Sequence, residues 1–277
     1  MKILSWNVNG LRAFYKKGAF NSIFEVDPDI FCLQETKAHP EQLPQEVVSP
    51  AGYHAYFDHS KMRKGYSGVA IYVKSNIEYR ISNVEYGLGI PELDKEGRLI
   101  IIYLSRINSL RTDLKEELVV INGYFPNGGV DPERLKYKLE FYDHFLKFIE
   151  KLRKSGPSTS SGQAKEIIFC GDINTAHNEI DIARPKENSN HTGFLRIERD
   201  WLDKVVATGY VDTFRSLHPE TIKYSWWDMK TFARDRNVGW RLDYFFVSPN
   251  LKDKIKKAEI LDNMMGSDHC PVLLELK

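Results

Sequence analysis

Short apolar runs that end on polar side chains constrain this chain more than any other feature. Residues 167–170 (Ile-Ile-Phe-Cys) lead into Gly171, Asp172, Ile173 and Asn174. A run this short, closed by glycine, reads as a buried strand that feeds a loop. Asp172 and Asn174 stand two residues apart, so an extended backbone carries both to one face. Alone, Gly-Asp-x-Asn is also good turn chemistry with no further purpose. The device recurs, however. Residues 3–6 end in Asn7-Val8-Asn9-Gly10, residues 29–33 deliver Gln34-Glu35-Thr36-Lys37, and residues 118–124 run into Tyr124-Phe125-Pro126-Asn127. A strand at 242–247 carries Asp243 near its start, and Asp268-His269 precedes a closing strand at 272–276.

Between these runs the pattern alternates. Residues 13–25 read as a helix with Phe14, Phe20, Ile23 and Phe24 inward, ended by Pro28. Residues 53–59 and 68–74 read as paired strands, joined by the basic loop Lys61-Met62-Arg63-Lys64-Gly65-Tyr66-Ser67. That loop suits a phosphate backbone, and equally a solvated hairpin. Strands at 99–107 and 118–124 flank a charged turn. Asp131-Pro132 opens a long helix with an apolar stripe through Leu135, Leu139, Tyr142, Leu146, Ile149 and Leu152. Residues 155–163 are low in complexity and read as a flexible surface loop. Residues 178–198 lack periodicity and are either an ordered functional loop or a surface excursion. Trp201, Leu202, Val205 and Val206 mark a short helix closed by Gly209.

With 277 residues, 42% of them hydrophobic, the expectation is a single domain over 1–277, since no hydrophilic linker splits the chain. A net charge of +1 means that a polyanion must be met by a local basic face. Cys32, Cys170 and Cys270 sit in apolar runs, which argues for a reducing compartment and against a disulfide framework. The chain opens directly on a strand and has no stretch apolar enough to cross a bilayer. An intracellular protein is expected, cytoplasmic and nucleoid-associated in a prokaryote or nuclear in a eukaryote.

Asn7, Asn9, Glu35, Tyr124, Asn127, Asp172, Asn174, Asp243, Asp268 and His269 all lie at or beside strand ends. Carboxylates and amides with few histidines and no cysteine favour a hard cation such as Mg²⁺ over Zn²⁺. Such a set suits phosphoester hydrolysis, in which cations neutralise the phosphate and a carboxylate orients water. No Walker A loop, Gly-x-Ser-x-Gly elbow or His-Glu-x-x-His is present. Residues 224–241 interleave Tyr224, Trp226, Trp227 and Trp240 with Lys230, Arg234, Arg236 and Arg241. Rings and cations together suit nucleic acid, although a core edge accounts for at least one of the tryptophans.

The segments Ser5-Trp6-Asn7-Val8-Asn9-Gly10-Leu11-Arg12, Leu33-Gln34-Glu35-Thr36-Lys37, Gly171-Asp172-Ile173-Asn174, Gly239-Trp240-Arg241-Leu242-Asp243-Tyr244 and Gly266-Ser267-Asp268-His269-Cys270-Pro271 closely resemble the exonuclease III family of abasic-site endonucleases. That family belongs to the wider endonuclease/exonuclease/phosphatase superfamily. The resemblance runs from the first strand to the last. It implies an α/β fold: a four-layer α/β sandwich of two packed mixed sheets flanked by helices. By the resemblance, Glu35 is the principal Mg²⁺ ligand, helped by Asn9 and Asp268, and Mn²⁺ is expected to substitute. The wider metal-side set adds Asp172, Asn174 and His269, with one-metal and two-metal operation both open. His269, oriented by Asp243, would contact the scissile phosphate, and Asp172 would align or deprotonate water. Tyr124, Asn7 and Asn174 would stabilise the transition state.

By the same resemblance, Trp226, Trp240 and Leu242 would wall a pocket for a flipped-out abasic sugar. Arg12, Lys37, Tyr66, Asn127, Arg134 and Lys138 would follow the DNA. Lys230 stands where some relatives insert an apolar side chain, and Gly128-Gly129-Val130 lacks an arginine that some carry. The implied activity is Mg²⁺-dependent hydrolysis 5′ to abasic sites in duplex DNA, leaving a 3′-hydroxyl, by a monomer without membrane contact. A secondary 3′→5′ exonuclease activity that trims 3′ ends is expected beside it, and incision at deoxyuridine is compatible with it. The competing readings are a superfamily phosphatase, and a DNA-binding protein with a dead site.

Overall fold

The computed structural model describes residues 1–107, 117–155 and 165–277. Apart from Ser155, the low-complexity stretch lies outside them, as does the charged turn after residue 107. Among the described residues the strands are β1 (Lys2–Asn7), β2 (Ile30–Gln34), β3 (Tyr53–Asp58), β4 (Val69–Lys74), β5 (Tyr79–Tyr86), β6 (Leu99–Arg106), β7 (Glu117–Tyr124), β8 (Glu166–Asp172), β9 (Val211–Asp212), β10 (Trp226–Trp227), β11 (Gly239–Trp240), β12 (Asp243–Val247), β13 (Ile255–Ile260) and β14 (Val272–Leu276). One six-stranded sheet has the order β13-β14-β1-β2-β4-β3, the other β5-β6-β7-β8-β12-β9, and β10 and β11 form a separate ribbon.

The two sheets repeat one pairing scheme. β1 lies parallel to β2 and antiparallel to β14, and β8 lies parallel to β7 and antiparallel to β12. The C-terminal ends of β1, β2, β7 and β8 and the N-terminal ends of β12 and β14 therefore emerge at one edge. This is why a polar residue at each of those ends can join one site.

Side chains alternate between the two faces of each strand, and both faces are covered. Ile30 and Cys32 of β2 enter the core between the sheets with Val120, Ile168, Cys170 and Phe245. Phe31 and Leu33 point the other way, onto Phe14, Phe20 and Ile23. On the outer face of the second sheet, Val119, Ile121 and Phe169 meet Phe141, Phe145 and Trp201, from the helices Pro132–Lys154 and Arg196–Ala207. Four layers result, as the resemblance implies. Strands covered on both faces read as unbroken apolar runs, which is why they are so legible.

A few boundaries differ from expectation. The helix expected over 13–25 is two helices, Leu11–Lys16 and Ala19–Val26, broken at Gly18, whose φ of 76° is left-handed. The helix expected near Trp201 starts earlier, at Arg196. β5 is an edge strand, largely exposed, and lacks the apolar signal of the others. Among the described residues no helix is long and apolar enough to cross a membrane.

A polar crosslink joins the sheets just below the common edge. Gln34 Nε2 donates to Asn122 Oδ1 at 2.7 Å and to Ser5 Oγ at 2.9 Å. Asn122 Nδ2 in turn donates to the carbonyls of Leu33 and Ala70. Both side chains are fully buried, so each lost bond would leave a costly unpaired group. The crosslink thereby holds the ends of β2 and β7 in mutual register.

Candidate active site

The edge opens into a cleft of about 840 Å³ lined by Asn9, Glu35, Lys37, Tyr124, Asn127, Asp172, Asn174, Trp226, Trp240, Leu242, Asp268 and His269, among others. Twelve of the residues expected at the site thus share one cavity with Gly128–Asp131, Asn188, residues 190–193 and Leu195. Asn7 and Asp243 lie directly behind it.

Asp172 is buried and held from several directions. Asn7 Nδ2 donates to its Oδ2 at 2.9 Å, and Asn174 gives its backbone N–H to Oδ1 at 2.8 Å and Nδ2 to Oδ2 at 3.1 Å. The two amide-bearing strand ends, one from each sheet, therefore converge on one carboxylate. Close approach makes this possible. Gly171 (φ 130°) pairs with Gly123, and a Cβ on Gly171 would lie 1.9 Å from the Gly123 carbonyl oxygen.

His269 Nδ1 sits 2.8 Å from Asp243 Oδ2, and Nε2 faces Asp172 Oδ2 at 3.9 Å. Ser225 Oγ also donates to Asp243 Oδ2, at 2.7 Å, and receives the backbone N–H groups of Leu242 and Asp243. Burial alone would lower the imidazole pKa, but the carboxylates of Asp243 and Asp172 more than offset it and push it up to about 10. Burial, opposed by His269 and reinforced by Asp243, pushes the Asp172 carboxyl up to about 7. At neutral pH the ring is a cation facing a carboxylate that is costly to ionise.

Tyr124 is buried, and its phenol pKa is raised well above the ordinary value, first by burial and then by the neighbouring Glu35 charge. It remains a donor. The guanidinium of Arg98 lies 4.7 Å over its ring and donates to its carbonyl at 2.7 Å. Arg98 is itself paired with Glu96 at 2.6 Å.

Glu35, Asn9 and Asp268 form the more open side of the cleft. Asn9 Nδ2 donates to Asp268 Oδ1 at 2.9 Å, and Trp226 Nε1 donates to Asp268 Oδ2 at 3.1 Å. Glu35, Asn9 and Asn174 adopt left-handed φ values of 54°, 45° and 57°. Asparagine tolerates that region, but for a glutamate it costs of order 1 kcal/mol. Such strain persists where surrounding structure imposes it, and here it turns the Glu35 carboxylate into the cleft. The donor set is hard oxygen, with two acids and an amide partly open to solvent, and so fits a divalent cation of the Mg²⁺ or Mn²⁺ type. Asp172, Asp243 and His269 also bring ligand atoms within 4.8 Å of one another. Asp172 and His269, both in the metal-side set that the resemblance implies, belong to this group.

One expectation is corrected. Lys138, expected along DNA, is fully buried, and its ammonium lies 2.6 Å from Glu198 Oε1. It has no surface to present. Lys37 turns inward, with Nζ 2.9 Å from Glu35 Oε1 and donating to Asn9 Oδ1 at 2.6 Å. Its side chain nonetheless stays one-third exposed at the cleft. Arg134 remains near the surface but is tied to Glu96 and to the Tyr66 hydroxyl. Arg12, Asn127 and Lys230 are exposed. Trp226 and Trp240 meet edge to face at 6.0 Å on the cleft wall, whereas Trp227 is the tryptophan that belongs to the core.

Sequence reading passes over Arg98, Ser225, Asp181 and Glu198, all buried polar residues that hold others in place. Their signal is weak because a polar residue outside an apolar run is ordinarily solvated. Asp181 and Glu198 sit at the edges of the aperiodic 178–198 stretch, and Ser225 lies inside the aromatic 224–241 segment.

Two docked sheets that gather acids, amides, a tyrosine and a charged histidine at one edge define a phosphoester hydrolase. The chain belongs to the endonuclease/exonuclease/phosphatase family, whose family model matches residues 4–269. It is 41% identical over 276 residues to the exodeoxyribonuclease of Bacillus subtilis (strain 168), covering 99% of this chain and 98% of that protein. It is 38% identical to the DNA repair nuclease APEX1 of Danio rerio, covering 100% of this chain and 82% of the other. The crystal structure of AP endonuclease LMAP from Leishmania major superposes with a TM-score of 0.85 at 30% identity, covering 100% of this chain and 87% of that one.

Proposed function

We propose that this chain is a DNA repair endonuclease that hydrolyses the phosphodiester 5′ to abasic sites in duplex DNA, leaving a 3′-hydroxyl, and also trims 3′ ends. The observation that carries the reading is the cleft itself. The Asp172–His269–Asp243 group opens directly onto a wall made by Trp226, Trp240 and Leu242. A phosphatase for small esters has no use for an aromatic wall of that kind, whereas a base-less sugar turned out of a duplex has. The unit acts as one catalytic domain and a monomer, and its substrate places it with DNA, in a nucleoid or a nucleus.

In this mechanism Asp172 orients a water molecule toward phosphorus and takes its proton. His269, held as a cation by Asp243, balances charge on the non-bridging oxygens. Tyr124 and the amides of Asn7 and Asn174 supply donors within a site already organised before the substrate arrives. The water oxygen bonds to phosphorus as the bond from phosphorus to the 3′ oxygen breaks, and the departing oxygen takes a proton from solvent to become the 3′-hydroxyl. Glu35, Asn9 and Asp268 would hold a Mg²⁺ ion that, when bound, acts as a Lewis acid on the phosphate.

The test is single-turnover incision of a labelled duplex carrying one tetrahydrofuran abasic analogue, beside intact and uracil duplexes. Glu35→Ala and EDTA are each expected to slow incision by about 10³-fold, the equivalent of several kcal/mol of transition-state stabilisation. Cutting that survives both unaltered would assign the activity elsewhere. Phosphate release from a small phosphoester, indifferent to competing duplex, would favour the phosphatase reading.

A further inference from the structure

Lys138 and Glu198 form an ion pair with both side chains 0% exposed. Replacing a buried ion pair with apolar residues is often neutral or stabilising, so stability alone is a poor reason for this one. Its connections supply a better one. The ammonium of Lys138 spends its protons on Glu198 Oε1 at 2.6 Å, the Asn174 carbonyl at 2.8 Å and Thr175 Oγ1 at 2.8 Å. Glu198 in turn receives Thr192 Oγ1 at 2.8 Å on one oxygen, and the N–H groups of Gly193 at 2.7 Å and Leu195 at 3.0 Å on the other.

One end of the pair therefore reaches the left-handed turn at Asn174, whose N–H and amide both hold Asp172. The other end reaches the cleft wall formed by Thr192, Gly193 and Leu195. That wall leans directly on Trp240, since a Cβ on Gly193 would lie 3.0 Å from Trp240 Cζ3 and 3.3 Å from the Asn174 carbonyl oxygen. The reacting carboxylate and the sugar-facing wall are thus fastened to a single buried clamp.

We propose that Lys138 and Glu198 are positioning residues for phosphodiester hydrolysis, setting Asn174 against Asp172 and the Thr192–Gly193 wall against Trp240. Neither touches the substrate. The inference rests on the catalytic reading above, but not on the abasic site as the preferred lesion.

Lys138→Met, Glu198→Gln and the double variant separate positioning from stability. Each single change leaves a buried charge unpaired, so both lower the thermal midpoint, and the double change, with no charge left, restores much of it. Positioning predicts that the single-turnover rate at saturating duplex falls at least about tenfold in all three, the double variant included. Rates are read well below each midpoint. A double variant that recovers rate along with stability, or a folded Lys138→Met with wild-type rate, overturns the proposal. Should Lys138→Met fail to fold, Thr192→Val removes one contact and leaves the charges paired. It is expected to slow the same step severalfold at an unchanged midpoint, and a wild-type rate overturns the clamp.

Every variant is assayed on the abasic duplex and on an undamaged duplex with a recessed 3′ end. If the wild-type protein trims the recessed end but leaves the abasic duplex intact, the substrate reading fails and the clamp is judged on trimming alone.

Discussion

Asp172→Asn is expected to slow single-turnover incision of an abasic duplex by about 10²–10⁴-fold, the range for losing a positioned proton acceptor, without lowering the thermal midpoint. The two halves of the expectation share a cause. Asp172 lies under the amides of Asn7 and Asn174 and beside the Asp243–His269 pair, where burial raises its carboxyl pKa from an ordinary value near 3.8 to about 7. A folded-state pKa above the unfolded one means that ionising this group opposes folding. The penalty grows as pH rises from about 4 to about 7 and is fully present above that. A neutral amide of the same shape removes it. Melting wild type and variant at pH 5 and pH 8 should therefore show the variant gaining on wild type at the higher pH. A variant that loses activity and melts lower by the same margin at both pH values would mean that Asp172 is a structural carboxylate.

The largest effect on stability is expected at Asp181. Its carboxylate receives Arg241 Nε at 2.7 Å and Nη2 at 3.0 Å, and also Arg215. Burial would raise its pKa, but the charges of Arg241 and Arg215 hold it far below the usual carboxylate range. Asp181→Ala leaves the fully buried Arg241 with only Asp212, at 2.8 Å. Breaking such a pair costs about 3–5 kcal/mol, or roughly 6–15 °C of thermal midpoint in a protein of this size. Differential scanning calorimetry measures it directly. A shift under about 2 °C, equivalent to less than 1 kcal/mol, would mean that Asp212 alone satisfies the arginine. Because Arg241 lies between Trp240 and Leu242 in the chain, the same change is expected to loosen the cleft wall.

Legibility followed burial. The strands of the two sheet centres are covered on both faces and announced themselves as short apolar runs, and at or beyond their ends Asn9, Glu35, Tyr124, Asp172 and Asp268 line the cleft, with Asn7 and Asp243 behind it. β5 and β13 went unread. β5 is an edge strand with mostly exposed side chains, and β13 carries Lys256 and Lys257 on its outer face. Asp172, Glu35 and His269 were ambiguous singly, since a polar group at a strand end also suits a turn or solvent, and stood out because the device recurs on several strands and matches a family pattern. Lys138 shows the limit of that logic. A lysine on a long amphipathic helix is ordinarily solvated, and its charge in the sequence says nothing of Glu198, 60 residues away.

The interleaving of the two sheets bears on how such a chain behaves while it is being made. β14 lies inside its sheet, between β13 and β1, and the residues just before it supply Asp268 and His269. A nascent chain that has cleared the ribosome only as far as β12 already displays Glu35, Tyr124, Asp172 and Asp243. It still lacks the strand that seals β1 and the cation that faces Asp172. The cleft is therefore completed only by the last strand of the chain, and a copy that stops before it lacks two of the residues gathered there, Asp268 and His269.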